Sequence, residues 1–109
     1  MADDPLQPHR CAELLMSLAS AERIRIIRLL RDRPHNVTEL AEKLGLADKP
    51  VNVSHHLNVL RHAGLVRNEK QGRFVVYSLV PGAILPGGDE CDRLDLGCCR
   101  LEMPRPDEE

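Results

Sequence analysis

A chain of 109 residues with 42% hydrophobic but only 2% aromatic side chains and no tryptophan is sized for one domain. Its core must be built from Leu, Ile, Val and Ala, and so short a chain gains from dimerisation. The net charge of −2 divides unevenly: residues 1–85 carry 12 basic and 9 acidic side chains, and residues 86–109 carry 3 and 8. No apolar run reaches the length of a membrane span, and the opening MADDPLQPHR has no basic-then-apolar pattern. No spanning helix and no secretory leader are expected from these features, and a cytoplasmic protein with no membrane partner is. Its four cysteines then read as metal, redox or catalytic groups rather than a disulfide scaffold.

Leu14, Leu15, Leu18 and Ala19 recur at helical spacing, predicting a first amphipathic helix over about Pro8 to Leu18 with Cys11 near its start. Ser20 is placed to cap AERIRIIRLLRDR, where Ile24, Ile27 and Leu30 share one side and Arg25, Arg28 and Arg31 another, until Pro34 blocks continuation. Asn36 then precedes VTELAEKLG with Glu39 at capping-box spacing; Val37, Leu40, Ala41 and Leu44 form the apolar face and Gly45 the stop. In DKPVNVSHHLNVLRHAG, Pro50 suits a first helical turn, Val53, Leu57 and Leu60 point inward, and Gly64 ends the helix. His35 and His62 are expected at the surface.

After Gly64 the period changes from helical to alternating, and LVRNEKQGRFVVYSLV reads as a hairpin around a polar NEKQG turn. The stretch PGAILPGGDE that follows is rich in Pro and Gly, which argues against a long helix immediately after the hairpin. The predicted fold is mainly α with a β-hairpin: a winged helix-turn-helix within residues 1–85, with a two-helix reader at 37–63 and a wing at 66–80. An acidic, cysteine-containing tail occupies residues 86–109.

The reader helix offers Asn52, Ser54, His55, Asn58 and Arg61 on its outward face. Asn can bond adenine in the major groove, Ser a base edge or a phosphate, and His a phosphate or a base acceptor. Lys49 at the reader's approach and Arg67, Lys70 and Arg73 on the wing are suitable phosphate partners. Between Asp48 and Arg73 five basic residues face two acidic ones, so double-stranded DNA is the expected partner.

Taken together, LASAERIRIIRLL, VTELAEKLGL and VSHHLNVLRHAGLV followed by GRFVVYSLV resemble the bacterial ArsR/SmtB metal-responsive repressors over roughly residues 12–80. The resemblance implies a homodimeric winged-helix repressor that leaves a partly palindromic operator when an inducer binds. It also implies a dimer interface made by the first helix and a last helix after the wing, with Ser54 and His55 at reader positions and Arg67, Lys70 and Arg73 on the wing. Two of the family's metal sites find no match. HNVTEL stands where many members carry Cys-x-Cys, and no histidine follows His62 to build the Asp/His site of a last helix. ADKPVNV is longer than the family's usual turn, so the reader helix is expected to start earlier or to bulge at Lys49 and Pro50.

The tail sequence DECDRLDLGCCRLEM holds Cys91, Cys98 and Cys99. Three soft thiolates suit As(III), Sb(III), Cu(I) or a similar thiophilic ion and suit Mg²⁺ or Ca²⁺ poorly. Gly97 lets the chain fold back, and Cys11 is a candidate fourth ligand. A structural zinc, a thiol redox switch and inert tail cysteines are the alternatives for these thiols. No enzyme is expected, because the tail thiols lie far in sequence from every histidine and no phosphate-binding glycine loop or catalytic carboxylate pair is present. A winged helix acting only as a protein-interaction module is the remaining rival.

Overall fold

The computed structural model describes residues 7–86 and 91–104. Helix α1 spans Pro8–Ser17, with Pro in its first turn, and α2 spans Ala21–Asp32. The Ser20 hydroxyl accepts from the Arg23 backbone N–H at 3.4 Å, supplying the expected N-cap. The buried faces differ from those the spacing predicts. Of the recurring four only Leu14 on α1 and Leu18, which caps its end, are buried, while Leu15 stays exposed. On α2 the core residues are Ile26, Ile27 and Leu30, and Ile24 is exposed. Helix α2 lies between the reader helices on one side and the chain's last strands on the other, so its apolar surface is wider than one stripe and Ile24 falls at its edge, beside Leu18, Leu94, Leu101 and Met103.

A short strand β1, His35–Asn36, leads straight into α3, Val37–Leu44. Both halves of the capping box form: Asn36 Oδ1 accepts from the Glu39 N–H at 2.8 Å, and Glu39 Oε1 accepts from the Asn36 N–H at 3.0 Å. That bond to the Asn36 backbone, reinforced by Arg33, holds the Glu39 carboxyl below the ordinary carboxylate range. The Glu39 half of the box therefore contributes at pH values above that range and is lost as pH falls through the lowered folded value, while the Asn36 half does not titrate. Asn36→Ala is expected to cost about 1 kcal/mol, read as a lower urea midpoint at unchanged slope.

Gly45, at φ 74°, closes α3 in the left-handed region, and α4 runs Pro50–His62 with Pro in its first turn and Lys49 as its cap residue. Strands β2, Val66–Gln71, and β3, Phe74–Leu79, then pair antiparallel from Val66↔Leu79 to Gln71↔Phe74. Residues 68–71, expected in the turn, are strand instead. Gly72 at φ 63° is the first residue of a two-residue loop, which lets the ladder run to its limit. Strand β1 joins the other side of β3 through His35↔Tyr77 and Asn36↔Val76. This pairing carries His35 into the interior, 2% exposed, with Nδ1 2.7 Å from the Arg33 carbonyl. The surface position expected for His35 is corrected accordingly; His62 is exposed.

The remaining chain forms an antiparallel meander of β4, Ile84–Pro86, β5, Cys91–Asp95, and β6, Arg100–Pro104, in the order β4-β5-β6. The last helix implied by the family resemblance is replaced by this sheet. It is no loose appendage: Leu94, Leu96 and Ala83 belong to the same buried cluster as Ile27, Leu40 and Leu57. Arg31 on α2 pairs with the buried Asp92 on β5. Four helices with a β-hairpin wing make the winged helix-turn-helix that the sequence predicts.

Candidate functional site

The helix-turn-helix sets α4 on α3 through Val53, Leu57 and Leu60, each fully buried. Burial of that stripe turns the opposite face outward. Lys49, Asn52, His55, Asn58 and Arg61 are exposed and Ser54 is half-buried, so the structure presents the predicted reader residues on one accessible surface. Helix α4 begins at Pro50, so Pro50–Val53 of ADKPVNV lie inside it and the reader helix starts early, without a bulge at Lys49 and Pro50. Val51, 78% exposed at the start of α4, escapes the sequence reading because it lies off the inward stripe. An apolar side chain there can contact a thymine methyl.

On the wing Arg67, Lys70 and Arg73 are all exposed, but they are not equivalent. Arg67 lies opposite Ser78 and Lys70 opposite Val75, and period-two alternation therefore puts them on opposite faces of the ribbon. Arg73 sits in the two-residue loop at the tip, beside the exposed Phe74.

The second candidate site joins distant parts of the chain. Cys11 on α1 is disulfide-bonded to Cys98, and Cys99 Sγ lies 3.6 Å from Cys11 Sγ and 3.9 Å from Cys98 Sγ. The three sulfurs fall within 4.8 Å of one another, and all three residues are half-buried. The turn that presents Cys98 and Cys99 is shaped by Gly97 at φ 87°, whose N–H donates to the Asp95 carboxylate at 2.8 Å, and by the Leu96 N–H donating to the Cys99 carbonyl at 2.9 Å.

Cys91, expected to ligate with the Cys98–Cys99 pair, is not in this group. It begins β5, whereas the turn follows the other end of that strand, about 13 Å away at roughly 3.3 Å per residue. An extended strand cannot fold its own ends together, and the ladder from Cys91↔Pro104 to Asp95↔Arg100 keeps it extended. Cys11 completes the group instead, because α1 packs beside the turn.

Sequence reasoning also passed over a polar contact behind the reader face. Arg23 Nε donates to His56 Nδ1 at 3.1 Å. Burial, with the nearby Arg23 cation and His55, lowers the His56 pKa against an opposing pull from Glu22. No periodicity marks such a pair, since both residues lie at the edge of their helices' apolar stripes.

Comparison with known proteins places these features among regulators. The model described as "Bacterial regulatory protein, arsR family" matches residues 20–68. The HTH-type transcriptional regulator NmtR of Mycobacterium tuberculosis is 46% identical over 68 residues, covering 62% of this chain and 55% of NmtR. The uncharacterised HTH-type transcriptional regulator Rv0081 of the same organism is 39% identical over 80 residues, covering 72% of this chain and 68% of its own length. Its crystal structure superimposes with a TM-score of 0.61 over 71% of this chain and 75% of that one. A crystal structure described as a "Possible transcriptional regulator for arsenical resistance" is 36% identical, with a TM-score of 0.57 over 63% of this chain and 70% of its own. The chain thus spans little more than half the length of NmtR but two thirds or more of the other two.

Proposed function

The chain belongs to the arsR family of bacterial regulatory proteins, and from that premise we propose that it is a homodimeric repressor released from operator DNA by a thiophilic inducer, As(III) above all. Helix α4 and the wing bind the duplex; the inducer is held by Cys11, Cys98 and Cys99. The observation that carries the inducer is the group of three sulfurs within 4.8 Å of one another. Among the described residues this group contains no fourth ligand. That suits a three-coordinate soft ion better than tetrahedral zinc. When arsenous acid, As(OH)₃, is ligated, each thiol proton leaves with one hydroxyl as water, giving three waters and no change of oxidation state. The relative described by arsenical resistance supports the same inducer class.

Because Cys11 lies on α1 and the pair on the turn after β5, ligation fixes the first helix to the end of the chain. A coupling of about 1–3 kcal/mol between that event and DNA corresponds to roughly a 5- to 150-fold loss of operator affinity.

A second reading rests on the Cys11–Cys98 bond itself. Two thiols pass two electrons and two protons to a peroxide, which leaves as two waters, and the resulting disulfide is the signal. The two states use the same sulfurs and exclude each other.

Fluorescence anisotropy on the protein's own promoter DNA separates the readings. The reduced protein is titrated with arsenite, antimonite, Cu(I) and Zn(II) and, separately, with peroxide. Release by arsenite is expected; release by peroxide alone selects the redox reading, and no response to any of them overturns both. Failure to bind duplex DNA even at low salt would make the winged helix a protein-interaction module. On the wing, Arg73→Ala is expected to weaken binding across all sequences and to lower the slope of log K against log salt by about 1.

A further inference from the structure

Cys11 of the thiol group and the reader face lie on different helices, α1 and α4, and the Arg23 side chain bridges these two helices. Arg23, in the first turn of α2, donates through Nη1 to the Ser17 carbonyl at 3.3 Å and through Nε to His56 Nδ1 at 3.1 Å. Ser17 is the last residue of α1 and is itself buried. Cys11 lies six residues before it on the same rod, about 9 Å along the axis at 1.5 Å per residue. His56 stands on α4 between His55, on the reader face, and the buried Leu57.

The position of Arg23 is otherwise unfavourable. A cation near the N-terminus of α2 opposes that helix's dipole. Helix α1, in contrast, ends without a basic residue in its last turn, and its terminal carbonyls need donors. The guanidinium meets that need with one nitrogen and holds the reader helix with another. The fork geometry of arginine allows both bonds at once.

We propose that Arg23 is the positioning residue through which occupancy of the thiol group reaches the reader helix. The inference rests on the thiol-controlled reading above. Movement of α1 when Cys11 is ligated or oxidised shifts the Ser17 carbonyl, and the guanidinium transmits that shift to His56 and so to the setting of α4. The bond requires neutral His56, because Nδ1 must accept. The groups around the ring are Arg23 and Glu22 on α2 and His55 on its own helix. A folded pKa below the ordinary histidine value keeps the ring neutral at neutral pH. As pH falls below about 6.5 the unfolded chain binds the proton first. Stability then declines until the folded ring is protonated and two cations oppose each other.

The test is NMR of the His56 ring in the full chain, first reduced, then with one equivalent of arsenite, and separately oxidised with diamide. Remaining thiols are counted in every sample. In the wild type the His56 resonances should move with thiol occupancy while operator affinity falls by the 5- to 150-fold factor. In Arg23→Gln the thiols should load as before, the His56 pKa should rise, and both responses should be lost. His56→Asn, which keeps an acceptor for Arg23 but cannot titrate, should retain the operator response and lose its acid sensitivity. Wild-type His56 resonances that stay put while the thiols are occupied would overturn the proposal. So would an Arg23→Gln protein that responds as fully as the wild type. If arsenite fails to load, the inducer assignment fails, and the diamide sample still decides the role of Arg23.

Discussion

Serine at positions 11, 98 and 99 together is expected to leave operator binding by the reduced protein intact and to abolish its response to arsenite. The loss is complete because the site consists of sulfur: a serine hydroxyl has nearly the same shape but is a hard, neutral donor with little affinity for a soft ion. The reader face is untouched, since all three cysteines lie outside α3, α4 and the wing. The decisive contrast is Cys91→Ser. Cys91 shares the acidic tail with the pair, yet it begins the strand whose far end leads to the turn, so its replacement should leave the full 5- to 150-fold response in place. A Cys91→Ser protein that no longer releases DNA on arsenite would return Cys91 to the ligand set. Anisotropy on the operator, with thiols counted in the same samples, gives the answer.

Leu94→Ala should be the most damaging single change in the chain's last segment. Leu94 is 1% exposed on β5, pairs across the meander with Ile84 and Leu101, and belongs to the core that also holds Ile27 and Leu57. Truncating a buried leucine removes its transfer energy and leaves a cavity, together about 2–5 kcal/mol. In a domain of this size that lowers the melting temperature by on the order of 10 °C or more. The whole domain should melt earlier, in one transition seen equally by far-ultraviolet circular dichroism and by calorimetry. A small early transition with the main one unmoved would instead mean that the meander is a separate layer.

The elements legible in the sequence are those governed by neighbouring residues. Ser20, Asn36 with Glu39, Gly45 and Pro50 each act within one helical turn, and each forms the cap, box or stop that its chemistry predicts. The reader face was legible for the same reason: Val53, Leu57 and Leu60 fix the inward side of α4, and the other side follows.

Features that depend on what packs from elsewhere were not legible. Periodicity could not choose between Ile24 and Ile26, because α2 is covered from two directions. His35 gave no sign of burial, since a two-residue strand has no period and its partner Tyr77 lies 42 positions on. The thiol site shows the same limit. Proximity in sequence favoured Cys91, but a strand separates its own ends, and a helix 87 residues away in the chain supplied the third sulfur.

That separation also bears on the unfolded chain. With Cys11 bonded to Cys98, most of the polypeptide is closed into a ring, and an unfolded ring has far fewer conformations than an open chain. The oxidised form therefore has less to gain from unfolding and gives a protease fewer openings, while the reduced form has the full freedom of a linear chain. How long a molecule survives would then depend on that one bond.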